Sequence, residues 1–383
     1  MAELVFPTPG VSTSLADGAA TISQTPYRYN VVEDIGPAWD AMTGSFADVS
    51  LEQMAAYAVP RWDAPRLCGV LLHEAGSVEP VAMALTMVAT IPMFELGLAY
   101  VKFGPLWRRH DRPANPAVLA AALQAVKQLF AVDRGLVARV MPPPDPDQAD
   151  AWSSQLSAAG FAFHDHAPDP DRYLVDLSLT EREQLASLGA KWRANLNKAL
   201  AHRLEIREAD LKESLPDFLA LYQTMLARKN FVDRHNIEVL PRFVAAAADA
   251  PALGVRLFLA YHEGRPVAGS VIVGGGDRVF VAFSASDERA LSLRAGYALR
   301  WWIINRLRGT KARWLDLGGT EGDAGLRSFK LGNVGKRGCV LQIAADYDFA
   351  ENALSRLVSS AMSSTHKLMR TGAAQHLFGL RRA

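Results

Sequence analysis

Ala312-Arg-Trp-Leu-Asp-Leu-Gly-Gly-Thr-Glu-Gly-Asp-Ala-Gly-Leu-Arg-Ser-Phe-Lys-Leu331 reads as a buried strand, Trp314 to Leu317, that runs into a glycine-rich turn. A short segment follows and ends on Phe329-Lys330. Backbone amides are free where a strand end meets a flexible turn, and a ligand can approach glycine closely. Upstream of the strand lies a nearly all-apolar helix, Ala295 to Leu307. Strand, turn, helix and strand in this order call for an α/β fold with helices on the faces of a mixed sheet.

Working outward, the chain alternates in the same way over most of its length. With 383 residues it exceeds a comfortable single core, so two domains are expected. Strands are predicted at Arg28 to Val32, Cys68 to His73, Val81 to Ala89, Leu98 to Phe103, Val137 to Met141 and Tyr173 to Leu177. Helices are predicted at Pro116 to Val132, capped by Asn115, and at Ala149 to Ala159. The second half repeats the order. One helix runs from Thr180 to about Arg203, with Glu183 at capping-box spacing. Helices over 212–230 and 238–249 follow, then strands at Arg256 to Tyr261, Val267 to Val273 and Val279 to Ser284. In both halves an Ala/Val-rich strand pair precedes a third strand, a helix of about four turns and a short strand. The divisions expected are a disordered leader over 1–25, a first module over 26–179, a second over 180–348, and a C-terminal helix with a basic tail over 349–383 that packs back on the first module.

Composition narrows the class. A net charge of +1 argues against a dedicated, strongly basic nucleic-acid surface. Cys68 and Cys339 are the two cysteines, too few for a disulfide framework, which fits a reducing cytoplasm. No signal peptide is read at the N-terminus, and no apolar run of the ~18–20 residues of a membrane span is read anywhere. His164-Asp-His166 lacks a Cys or Glu neighbour and makes a poor metal site. No P-loop, nucleophile elbow or dinucleotide fingerprint is present.

Three constellations carry chemistry. Lys330 beside the apolar Phe329 can hold a cation where negative charge develops, with Gly318 and Gly319 leaving room for a ligand. The stretch Lys191-Trp-Arg-Ala-Asn-Leu-Asn-Lys198, with Arg193 and Asn197, is basic and lacks acidic residues. On one helix face, Lys191 and Lys198 align with Asn195 and His202 and could receive phosphates. Leu293-Arg-Ala-Gly-Tyr-Ala298 opens the apolar helix, and a helix N-terminus with a nearby glycine can bind a diphosphate.

Taken in order, Lys191 to Ala199, Leu315-Asp-Leu-Gly-Gly with Phe329-Lys330, the Gly-Pro strand end Leu98 to Pro105, and Glu263-Gly-Arg-Pro-Val-Ala-Gly269 resemble landmarks of the FemAB-like branch of the GNAT acyltransferases. The resemblance implies two tandem GNAT-like modules, each a mixed twisted sheet with helices on its faces, facing across a cleft. It assigns catalysis to Lys330, and acceptor binding to Lys191 and Arg193 together with Asn197, Lys198, Gly318, Gly319 and Phe329. Residues 293–298 partly match the coenzyme A signature of GNAT enzymes, which points to Arg294, Gly296 and Ala298. Leu293 stands where that signature has Arg or Gln. Asp316 and Glu321 are the candidate general bases. The expected activity is transfer of an acyl group, acetyl in the first instance, from acyl-CoA to an amine of a cell-envelope polysaccharide or its precursor, in the cytoplasm and without a metal. The alternative donor is aminoacyl-tRNA acting on a peptidoglycan precursor. A further alternative is an inactive, regulatory GNAT pair that senses an anionic nucleotide through Arg370, Arg381 and Arg382. Peripheral contact with envelope-synthesis machinery would fit either enzyme.

Overall fold

The computed structural model describes residues 26–62, 64–91, 96–166, 170–229, 233, 236–250, 253–320, 322–343, 345–351 and 355, and the backbone of Ala20–Thr21. The elements of the first half are β1 (Ala20–Thr21), β2 (Tyr27–Val32), α1 (Pro37–Thr43), α2 (Ala55–Trp62), β3 (Leu67–Glu74), β4 (Pro80–Ile91), β5 (Leu96–Lys102), α3 (Pro116–Val126), β6 (Val137–Met141), α4 (Ala149–Ala158) and β7 (Ala162–Asp165). Then come β8 (Asp171–Asp176), α5 (Glu181–Ser187), α6 (Ala190–Ala201), β9 (Glu205–Ala209), α7 (Leu211–Lys229), α8 (Leu240–Ala247), β10 (Gly254–His262), β11 (Arg265–Gly275) and β12 (Arg278–Ser286). The chain continues through α9 (Glu288–Ser292), α10 (Ala295–Leu307), β13 (Trp314–Asp316), α11 (Ala324–Val334), β14 (Cys339–Gln342) and β15 (Asp346–Phe349).

Two sheets result, ordered β1-β2-β3-β4-β5-β6-β15-β7 and β14-β8-β13-β12-β11-β10-β9. With β1 set aside they match strand for strand, and each has one parallel pair, β5 with β6 and β12 with β13. The repeat read in the sequence is therefore a repeat of topology. The sheets also trade strands across the expected 179/180 division: β8 pairs with β13 and β14 in the second sheet, and β15 pairs with β6 and β7 in the first. Neither sheet is complete without a strand from the other half of the sequence. The trade could not be read from local pattern, because edge and interior strands of this length look alike. Most of the expected leader and of the C-terminal helix and tail lies outside the described residues. Within them, Ala20–Thr21 pairs with β2, and Ser355 donates to the Gly135 carbonyl of the first module at 2.8 Å.

One core joins the sheets. Trp39, Phe46, Met54, Met83 and Leu106 pack in the same cluster as Phe218, Phe243, Val271, Val273 and Phe283. The β11–β12 turn presses against the first half at Gly276, whose φ is +58°. A Cβ there would sit 2.1 Å from the Ala47 carbonyl, so only glycine fits. Asp277 then donates its N–H to Ala47, and its carboxylate pairs with Arg108 at 2.9 Å, which also pairs with Asp145. The outer face of the first sheet is covered by α3 and α4, and that of the second by α10. The span Pro116–Asp133, α3 and the π-helical turns after it, is long and apolar enough to cross a membrane, contrary to the expectation. Most of its apolar residues, Leu119, Leu123 and Phe130 among them, are buried in the first core, while Val132 is exposed.

Two local expectations are corrected. The single helix over 180–203 is two, α5 and α6, parted at Leu188 and Gly189, where ψ swings to extended values. Gly189 donates its N–H to the Gly332 carbonyl, so the backbone of α11 approaches too closely for a continuous helix. Phe329 and Lys330 do not end a short segment. They lie inside α11, whose Asp323 cap accepts from the Leu326 N–H.

Candidate functional site

The site is organised by the parting of β12 from β13. The two pair in parallel over three residues, from Arg278↔Trp314 to Phe280↔Asp316. β12 then runs on to Ser286, while the chain after Asp316 turns away at Gly318, where φ is +73°. A wedge opens between them. Along the wedge β12 carries a bulge: Val281 and Phe283 face the adjacent Ile272 and Val271, and Ala282 is the extra residue. A bulge frees peptide groups from the ladder and turns them toward whatever lies beside the strand.

The turn at the base of the wedge is set by Asp316, which is buried and accepts the Gly318 N–H through Oδ1 at 2.8 Å. Lys330 is buried too and donates Nζ to the Gly319 carbonyl. Of the two neighbours the lysine is the more buried, for Phe329 is only partly covered. A Cβ placed at Gly318 would lie 3.8 Å from Lys330 Nζ and 3.6 Å from Arg172 Nη1. The Arg172 guanidinium sits 5.5 Å over the ring of Phe103, from the first module. Two cations from different elements therefore flank one glycine at the seam between modules. Glu321 lies outside the described residues.

An aromatic cluster ties the other expected regions to this point. Trp192 of α6, Tyr297 of α10 and Phe329 of α11 meet with centroids 4.9–5.9 Å apart. Asn195 Nδ2 donates to the Tyr297 hydroxyl at 3.1 Å. The basic helix, the first turn of α10 and the lysine helix thus converge, although about 100 residues part α6 from α10 in sequence. Within α6 the roles divide. Lys191, Asn197 and Lys198 are exposed, whereas Asn195, on the face expected to be shared with Lys191, is buried. Arg193, expected at the acceptor, serves the fold: its Nη1 donates to the carbonyls of Leu185, Ala186 and Leu188 at 3.0–3.4 Å and closes the C-terminus of α5.

The mouth of the wedge is the N-terminus of α10. Arg294 is its N-cap residue, at φ +53° and with no side-chain cap, so the first turn is not closed by its own sequence. Nothing lies within 4 Å of a Cβ built on Gly296, which leaves room for a bulky anion such as the diphosphate of acyl-CoA. Leu293 and Ala298 are buried in the core and offer that group no polar contact. The first turn therefore fits a diphosphate through Arg294 and Gly296, with Ala298 contributing packing.

Reading residues by type missed Ala282, Tyr297, Arg172 and Arg300. The first three carry no signal that separates them from ordinary strand and helix residues. Arg300 did carry one, being the lone charge within the Ala295–Ile304 run of an otherwise apolar helix.

A splayed parallel pair with a bulge on one strand, an open helix start at its mouth and a buried lysine at its base form the frame of an acyl-transfer domain. Residues 187–330 match the family model described as an acetyltransferase (GNAT) domain, and the chain carries such a domain there. No curated protein matches. Among solved structures, the chain is similar to FemX, with a TM-score of 0.69 and 16% identity over 86% of this chain and 99% of that one. It is also similar to a conserved protein of unknown function from Bacteroides thetaiotaomicron, with a TM-score of 0.55 and 14% identity over 82% and 97%. A third likeness is to the C-terminal domain of a putative lysylphosphatidylglycerol synthetase from Agrobacterium fabrum, with a TM-score of 0.51 and 13% identity over 86% and 97%. At these identities the likeness is one of fold.

Proposed function

We propose that the protein is a cytoplasmic N-acyltransferase that moves an acyl group from acyl-CoA to an amine of a cell-envelope polysaccharide or its precursor. The observation that carries this reading is the convergence at one wedge of an open, uncapped helix start and a buried lysine, joined by the contact of Tyr297 with Phe329. In this reading the donor's diphosphate rests on the first turn of α10, and the thioester reaches along the wedge to the bulge at Ala282. The acceptor amine enters from the seam with the first module, past Arg172 and Phe103. Its nitrogen attacks the thioester carbonyl, and the carbonyl oxygen takes up negative charge beside Lys330 and the freed amide of the bulge. Collapse breaks the C–S bond, and the thiolate leaves with the proton that the amine gives up. Holding both reactants in one wedge supplies much of the rate. Asp316 acts here by shaping the turn, since the Gly318 N–H occupies its Oδ1.

The test is calorimetric titration with acetyl-CoA, chosen for its diphosphate, and with CoA. Saturable micromolar binding is expected, weakened at least about tenfold in Gly296→Trp, because the indole fills the space in front of the first turn. An absence of binding up to millimolar ligand would discard acyl-CoA and leave an aminoacyl ester as the donor.

A further inference from the structure

Arg300 lies in α10 four residues beyond Gly296, one helical turn deeper at about 6 Å along the axis. It is 7% exposed. Neither its Nε nor its Nη1 has a hydrogen-bond partner, and among the described residues no carboxylate pairs with it. Burial alone pulls its guanidinium down to about 10, with no neighbouring acid to pull it back. Arg139, also buried, is paired by Asp348, and the partly buried Arg108 by Asp145 and Asp277, whereas buried Arg278 likewise keeps an unbonded Nε. At helical spacing Arg300 shares the face of Ile303, Ile304 and Leu307, which belong to the core cluster that also holds Leu315 of β13 and Leu317. It therefore belongs to the inner, sheet-facing side of the helix. A buried cation without a counter-charge is strongly unfavourable unless something supplies one.

We propose that Arg300 is the receiving residue for a carboxylate at the far end of the donor's acyl chain, so that the acyl group is an ω-carboxyacyl group. This rests on the acyl-CoA reading above and deepens it. The geometry separates two anions. The diphosphate is large, doubly charged and suited to the open first turn at Gly296. The enclosed guanidinium leaves Nε and Nη1 without a partner and suits a small oxyanion rather than a diphosphate. An acetyl group would leave Arg300 unpaired. An aminoacyl group would bring an ammonium next to the carbonyl and toward a buried cation. In the reaction the amine nitrogen bonds to the thioester carbon, the C–S bond breaks, and CoA leaves as the thiol. The product is an amide whose distal carboxylate is unchanged. An acceptor amine then exchanges its positive charge for a negative one.

The experiment compares succinyl-CoA with acetyl-CoA as donor to a simple amino sugar, with the full chain and with R300M and R300Q. The wild-type protein is expected to favour succinyl-CoA in kcat/KM by on the order of 100-fold, the scale set when a buried polar group loses its partner. In R300M the ratio of the two donors is expected to fall to about one. Equal use of both donors by the wild-type protein, with CoA itself still bound, overturns this inference and leaves the acyl-CoA reading standing. Failure of CoA and both thioesters to bind overturns the reading beneath it. A ratio unchanged in R300M, with KM for the acceptor raised instead, would place the carboxylate on the acceptor and refute the donor assignment. Thermal melting in succinate covers the case of a poorly folding R300M: the wild-type protein and R300Q are compared, and stabilisation of the wild type alone is expected. Equal shifts count against the site.

Discussion

The two parallel strand pairs occupy the same place in matching sheets, yet one is closed and the other open. In the first sheet β5 and β6 pair over five residues, Leu98↔Val137 to Lys102↔Met141, and the Phe103 N–H extends the ladder to the Met141 carbonyl. In the second sheet the pairing stops after three, and β12 runs on alone beside the wedge. The crossover helices differ in the same sense. α3 starts with Pro116, and the Asn115 side chain takes the Ala117 N–H, so its N-terminus is closed by its own residues. α10 begins uncapped at an open glycine. Where the second sheet has Lys330 and Gly319, the first has a sealed polar network: Tyr100 donates to Asp346, while Asp348 takes Arg139 and His164. Repeating a topology thus repeats a scaffold. In the function proposed above, whether the copy hosts a reaction depends on how far two strands stay paired.

The comparison breaks most sharply at Lys330. Lys330→Ala is expected to lower the transfer rate by roughly 10²–10³, the usual effect of losing one group that stabilises an oxyanion. Steady-state turnover with CoA binding as a control measures it. A rate within threefold of wild type would remove Lys330 from the chemistry. The matching change in the first sheet is Arg139→Met, which deprives Asp348 of a bidentate partner held at 2.7–2.8 Å. Breaking a largely buried pair in this way costs about 3 kcal/mol. Urea unfolding should show that loss while kcat stays unchanged. Loss of turnover at full stability would mean that the first sheet takes part in the reaction after all.

The difference between the sheets was only partly visible in the sequence. Element order was legible, because the apolar period and turn residues mark strands such as Val137–Met141 and helices such as Ala295–Leu307, whose bounds agree with the reading. So was the nearness of the glycine turn and Lys330 in the second module. What could not be read depends on contacts distant in sequence. The exchange of β8 and β15 is fixed by pairing across more than a hundred residues. The break at Gly189 is forced by Gly332. The task of Arg193 is set by three carbonyl groups at the end of the preceding helix. The extent of β12–β13 pairing and the bulge at Ala282 are properties of register, which local composition leaves open.

The seam between the sheets gives the smallest effect and the most specific signature. Asp48 is buried there, and its carboxylate accepts the N–H groups of Trp107 and Arg108. Loss of water raises its pKa to about 7, against the opposing pull of Arg108 and those N–H groups. Because the folded-state value lies above the ordinary 3.8, the folded protein holds a proton that the unfolded chain has released between those pH values. The stability from this group is therefore complete below about 3.8, falls as pH rises through the window, and is gone above about 7. Between pH 5 and 8 the loss amounts to about 2.5 kcal/mol at one proton per pH unit. Asp48→Asn should flatten that slope, since the amide oxygen still accepts an N–H while nothing is left to ionise. Chemical denaturation at pH 5 and pH 8 of both proteins measures it. Parallel slopes would show that Asp48 stays charged, with Arg108 as its effective counter-ion. Arg108 also holds Asp277, so the contact that seats the β11–β12 turn against the first module would then be electrostatically coupled to the carboxylate beneath it.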